Sequence, residues 1–339
     1  MSRRVFVVLG TLGVVLVILC VLSLCVGSVP VPVAELPAIL THPGQADTWH
    51  QVIWSIRLPR MLAAGLLGGA LALSGLLLQV LFDNPIAGPF VLGVSSGAKL
   101  CVAALLVSAA AATQAVASWM TVGAAFVGAL GAMALVLAVS RHTDSASVLV
   151  VAGVMIGYVC NAATDLLVTF ASDANVVNLR NWSLGSFSGS SWGEVGVSCA
   201  VSVVGLACAM ALSKPMGAYL LGEGYAQSVG VSVRGFRVAT ILLASLLAAC
   251  VTAVAGPISF VGIAVPHIAR HLLATTRPLV LVPATFLAGS VFCLVCDLMA
   301  RSAFAPTEVS VSTITALFGA PVVVWVLLGR RGREEASAS

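Results

Sequence analysis

Ten runs of apolar residues divide this chain, and its polar residues are concentrated in the breaks between them. The runs are 5–26, 61–81, 91–112, 115–139, 148–170, 195–212, 238–254, 258–273, 279–300 and 309–328. A helix crossing a membrane needs about 20 predominantly apolar residues, so each run predicts one spanning helix. The eighth is the least regular, because Pro266, His267 and Arg270 interrupt it; a short or tilted segment is expected there. One break is longer than the rest. Residues 213–237 carry Lys214, Glu223, Arg234 and Arg237, and read as two short helical turns punctuated by Gly217, Gly222, Gly224 and Gly230.

Composition supports that pattern. Of 339 residues, 60% are hydrophobic and 8% charged, against about 25% charged in soluble domains. An all-α integral membrane protein of about ten helices is expected, as one transmembrane domain over 1–339, with 331–339 a disordered tail. Arg3 and Arg4 precede the first run like the start of a signal peptide. The run is longer than the usual 7–15 residues, and no small-residue cleavage site follows, so it is read as a span. The nine cysteines are scattered, apart from Cys293 and Cys296 in a C-x-x-C. That pair has no companion ligands, so packing is expected and no metal site.

An even number of spans puts both termini on one side. Arg3, Arg4, Arg330, Arg331 and Arg333 predict that this side is cytoplasmic. Alternate counting then puts the polar loop 213–237 inside and Arg57, Arg60, Arg180 and Arg301 outside. Any of the four reads as a snorkelling anchor; Arg57, Arg60 and Arg301, at helix mouths, read also as an electropositive rim that attracts an acidic partner or an anionic solute.

Ala87-Gly88-Pro89 and Ala255-Gly256-Pro257 precede similar apolar segments, and Arg57-x-x-Arg60 and Arg234-x-x-Arg237 each open a span from opposite faces. The echo predicts two inverted repeats, spans two to five and seven to ten. Gly93-Val94-Ser95-Ser96-Gly97 matches the G-x-S-x-G elbow of hydrolases, yet it opens an apolar helix, where small residues serve close packing. The only lysines, Lys99 and Lys214, do not sit in a phosphate-binding loop, so nucleotide would have to bind elsewhere. Asp165, Asp297 and Glu308 lie in or near spans, where charge is costly and often functional. Asp297 stands four residues before Arg301, which predicts a local ion pair.

Taken in order, Arg57-Leu-Pro-Arg60, Leu73-Ser74-Gly75, Gln79, Asn84-Pro85-Ile86-Ala87, Leu92-Gly93-Val94-Ser95-Ser96-Gly97, Gly222-Glu223, Ser228-Val229-Gly230-Val231, Ala255-Gly256-Pro257-Ile258, Phe260-Val261-Gly262, Val265-Pro266-His267-Ile268-Ala269-Arg270, Asp297, Ala300-Arg301, Thr315-Ala316 and Gly319-Ala320-Pro321 carry a family resemblance. The chain resembles the permease subunit of the ABC importers for iron siderophores, haem and cobalamin, the type II importers. The resemblance implies a bacterial plasma-membrane permease paired with a second copy or a close homologue, two cytoplasmic ATPase subunits and an extracytoplasmic solute-binding protein. It implies no catalytic residue and no cofactor on this chain, with ATP and magnesium held by the ATPases, and no nucleic-acid partner. It further implies docking of the binding protein at Arg57, Arg60 and Arg301, ATPase coupling at Leu221, Gly222, Glu223 and Gly224, and an inner gate at Ser145, Ala146 and Ser147. Met155, Tyr158 and Asn161 on the fifth span are candidates for lining the path and equally for packing. Lys99 departs from the family, which has a small or apolar residue there. A ferric siderophore is the expected solute, with haem or cobalamin as the alternative. An ion-coupled transporter using Asp165 or Asp297, and an intramembrane protease using Ser95 and His267, are the readings from other classes.

Overall fold

The computed structural model describes residues 3–27, 29–42, 47–111, 116–142, 146–303 and 305–338, and side chains as far as 324. The helices are α1 (Arg3–Cys25), α2 (Leu36–Thr41), α3 (Thr48–Val52), α4 (Leu58–Leu81), α5 (Val94–Ala111), α6 (Ser118–Ser140), α7 (Ala146–Thr169) and α8 (Asp173–Ser183). They continue with α9 (Trp192–Ala211), α10 (Ser213–Tyr219), α11 (Glu223–Ser228), α12 (Val233–Ala255), α13 (Val261–Leu273), α14 (Pro278–Ser302) and α15 (Val311–Ala338). No strand occurs among the described residues.

Each predicted span has its helix. Seven segments are long and apolar enough to cross a membrane, and three shorter apolar ones lie within α5, α13 and α15. The 13 residues of α13 rise about 20 Å, less than a hydrocarbon core of about 30 Å, so the expected short segment is present. The two short turns expected within 213–237 are α10 and α11. At the other end, the backbone of α15 runs on through 331–338.

The packing has an internal symmetry. Helix α4 lies against α12, α13 and α14, while α12 lies against α4, α5 and α6. Exchanging α4–α7 for α12–α15 reproduces the same set of neighbours, including α5 with α6 and α7 matched by α13 with α14 and α15. Because α4 and α12 run in opposite directions, the repeats are inverted. These two helices form the centre: 83% and 72% of their most apolar stretches are buried, against 17% for α1 and for α7. Their contact is polar at one point, where Ser74 Oγ donates to the Ala244 carbonyl at 2.6 Å. Where α4 crosses α13 the backbones touch. A Cβ on Gly75 would stand 1.7 Å from the Gly262 carbonyl oxygen, so only glycine fits.

Two faces can be named from the helix directions. The N-terminal end of α1 defines the near face and its C-terminal end the far face. Arg4 donates to the Leu272 carbonyl at 2.9 Å, placing the end of α13 on the near face. Helix α4 runs from Arg57 at the far face to Leu81 at the near face.

Candidate functional site

At the far face, α4 begins with an irregularity that the sequence dictates. Pro59 has no N–H to donate, and the preceding turn Ile53–Arg57 widens to a π-helix in which the Leu58 N–H reaches back to the Ile53 carbonyl. The Trp54 carbonyl passed over in this way accepts the Trp192 indole N–H at 2.8 Å, and the two rings lie 5.9 Å apart. The widened turn presents Arg57 toward the end of α1, whose last carbonyls have no partner within their own helix. Arg57 Nη1 donates to the Leu24 carbonyl at 2.5 Å and to that of Cys25 at 3.2 Å, and Nη2 donates to that of Val29.

One turn on, Arg60 Nε donates to both Asp297 carboxylate oxygens at 2.9 and 3.2 Å. Its Nη1 donates to Glu308, at 3.0 and 3.2 Å. Arg301 Nη2 donates to the Ser23 carbonyl at 2.7 Å, while its Nε stands 3.8 Å from Asp297. Three guanidiniums and two carboxylates thus share one site, and 3 − 2 leaves one positive charge. Asp297 is 1% exposed, and Arg57 and Arg60 are 5% exposed. The side chains turn inward, because the α1 carbonyls and two acids offer partners that water would otherwise supply. Only Glu308, with half its side chain exposed, brings the cluster to the surface. The tight partner of Asp297 is Arg60, 237 positions away, and Arg301 is the looser one. Arg180 does not join them and is exposed on α8.

The near face carries a second cluster. Glu223 Oε1, in the first turn of α11, accepts the Tyr219 hydroxyl at 2.7 Å and the Arg237 guanidinium at 2.9 Å. The same hydroxyl lies 3.3 Å from the carbonyl of Leu81, the last residue of α4. Burial, and then the bond to Glu223, pushes the Tyr219 hydroxyl up to about 12. Beside it Leu221, Gly222, Glu223, Gly224 and Tyr225 form an exposed tip. Nearby, His267 Nε2 lies 2.7 Å from the Pro85 carbonyl and Gln79 Nε2 donates to the Ile263 carbonyl at 3.0 Å, fastening α13 to the end of α4.

Of the expected gate, Ser145 lies outside the described residues, Ala146 opens α7, and Ser147 is exposed beside it. Met155, Tyr158 and Asn161 are exposed on α7, as is Asp165. Lys99 is half-buried in α5. Ser95 sits in the first turn of α5, a helix start without the strand that a hydrolase elbow requires. Cys293 packs in the crossing of α14 with α4, where a Cβ on Gly68 would meet its Cβ at 2.5 Å. The sequence reading missed Tyr219 and the roles of Arg57 and Arg301 at α1. Of these only the i,i+4 spacing of Tyr219 and Glu223 was available as a signal.

Two inverted helical repeats, an apolar exposed face on α7 and a polar two-helix loop beyond the spans define a membrane transport subunit. The chain belongs to the FecCD transport family, which matches residues 15–329. It is 35% identical over 324 residues to the vitamin B12 import system permease protein BtuC of Klebsiella pneumoniae, covering 95% of this chain and 93% of that one. To the hemin transport system permease protein HmuU of Yersinia pestis it is 33% identical over 326 residues, covering 95% and 96%. A solved inward-facing structure described as a metal-chelate type ABC transporter superposes with a TM-score of 0.82 at 30% identity, covering 94% of this chain and 98% of that one. The chain is a permease subunit of the ABC importer family for siderophores, haem and cobalamin, and a multi-span protein of the bacterial inner membrane.

Proposed function

We propose that this permease carries a bulky metal chelate inward, a ferric siderophore in the first instance, by alternating access driven by a separate ATPase. The observation that carries the reading is the full-length family match on a chain whose lysines sit in no nucleotide motif. The near face is then cytoplasmic, both termini included. Two ATPase subunits, which hold ATP and magnesium, seat on α10 and α11 around Leu221, Gly222, Glu223 and Gly224. Two copies of the chain, or one with a close homologue, enclose the path, with Met155, Tyr158 and Asn161 of α7 facing it and Ser147 at its inner end. An extracytoplasmic binding protein docks on the far face around Arg57, Arg60 and Arg301. The single excess positive charge there favours an acidic partner, and a partner carboxylate reaching Arg60 competes with Glu308.

Haem or cobalamin is the second reading, favoured by the names of the relatives. The test is ATP-dependent uptake into proteoliposomes containing permease, ATPase and binding protein, with ferric siderophores, haemin and cyanocobalamin in parallel. Saturable uptake of one class that stops without ATP supports the reading and names the solute. Uptake driven by an ion gradient in the absence of ATP would replace it with an ion-coupled transporter using Asp165 or Asp297.

A further inference from the structure

The exposed tip of the near-face loop is built to swivel. Helix α11 hangs between two glycines at positive φ, Gly222 (110°) and Gly230 (85°), and an added Cβ at either would meet nothing within 4 Å. Glycine joints in open space cost little to rotate. A segment held only by such joints would absorb a push from below without passing it on.

One carboxylate oxygen opposes that freedom. Glu223 Oε1 takes the hydroxyl of Tyr219 from α10 and the guanidinium of Arg237 from α12. The hydroxyl has one proton. Its shorter branch goes to Glu223 and its longer one to the Leu81 carbonyl of α4, one of the groups that a helix end leaves unpaired. The Tyr219 ring is 9% exposed and lies 5.0 Å from the Phe236 ring of α12, while its hydroxyl is placed by its own two acceptors. Arg237 is 3% exposed, and its bond to Glu223 is charge-assisted, the stronger class of hydrogen bond. Helices α4, α10, α11 and α12 therefore meet within two bonds of one atom.

We infer that Tyr219, Glu223 and Arg237 form a strut that makes α11 move as one body with the near end of α4 and the start of α12. A displacement of the loop then reaches the two central helices of the bundle without being lost at the glycines. Tyr219 and Arg237 act as positioning residues, since they work through Glu223 and the Leu81 carbonyl. The inference rests on the reading of 213–237 as the seat of the ATPase.

The test uses the complete complex in nanodiscs, with spin-labelled unnatural residues at Ile86 and Gln227, both exposed. Wild type is expected to give one distance between the labels, unchanged when ATP and vanadate trap the complex. Tyr219→Phe is expected to lose that single population while phosphate release from ATP continues. Phe236→Leu, which loosens the ring contact and leaves the strut in place, is expected to keep it. A single population in Tyr219→Phe, or a wild-type distance that changes on trapping, overturns the strut. The seat is tested separately. If neither Leu221→Arg nor Tyr225→Arg weakens co-purification of the ATPase, the coupling reading fails, whatever the labels report.

Discussion

Asp297→Asn removes one charge from the far-face cluster while nearly preserving shape, and its cost follows from the geometry. Asp297 is 1% exposed, accepts Arg60 Nε at 2.9 and 3.2 Å, and stands 3.8 Å from Arg301 Nε. Without it the cluster goes from one excess positive charge to two. Two unit charges 4 Å apart interact by about 4 kcal/mol at an effective dielectric of 20. Removing one partner of a buried pair typically costs about 3–5 kcal/mol. Glu308 still reaches Arg60, which places the expected loss near the lower end, about 3 kcal/mol. The assay is reversible unfolding of the purified permease in mixed micelles, compared with Arg60→Met combined with Asp297→Leu. That double variant removes a buried pair in favour of apolar side chains, a change that is often nearly neutral, so it should recover most of the stability. A loss below about 1 kcal/mol in Asp297→Asn, the size of an exposed pair, would refute the claim that Asp297 is a buried counter-ion.

Gly75→Ala should destabilise the bundle by at least the ~1–3 kcal/mol typical of overpacking, because its Cβ would lie 1.7 Å from the Gly262 oxygen. Gly10→Ala, with nothing within 4 Å, is the control, and equal melting temperatures would refute the crossing. Glu308→Gln should tighten docking of the binding protein by up to about five-fold, since a half-exposed pair is worth ~0–1 kcal/mol; unchanged or weaker docking in nanodiscs would remove Glu308 as a competitor. Tyr219, held up to about 12 by burial and by Glu223, should ionise above the ordinary tyrosine value of about 10 in an ultraviolet titration read as the difference between wild type and Tyr219→Phe. Folding favours its protonated form, so its contribution is complete below the ordinary tyrosine value of about 10 and is lost as pH rises toward its folded value. A difference titration centred near the ordinary value of about 10 would contradict this.

Spans were legible because each is a local property: twenty apolar residues announce themselves whatever they pack against. The inverted repeat was legible from Ala87-Gly88-Pro89 and Ala255-Gly256-Pro257, which mark the same break in both halves. Partnership across the fold was not. Asp297 has Arg301 four residues away, and a helix makes that the natural choice; folding brings Arg60 closer from the far end of the chain. Likewise, counting spans placed Arg57 on the face opposite the N-terminus, where the structure has it, but could not reveal that the end of α1 would need its donors. Charge positions along a sequence report depth in the membrane, while burial depends on which helix ends are left short of partners.

Helix α1 stands outside the repeated halves, and the bonds at its two ends set a timetable for making the protein. Arg57 can reach the Leu24 carbonyl soon after the second span emerges, but Arg301 lies 278 positions beyond Ser23 and Leu272 268 beyond Arg4. At bacterial translation rates of about 5–20 residues per second, the first helix waits roughly 14–56 s for those fastenings. Helix-end carbonyls short of donors are costly away from water, so the end of α1 is fully satisfied only after α14 has been made. Both ends of the first helix are thereby fastened late in synthesis, once α13 and α14 have been made.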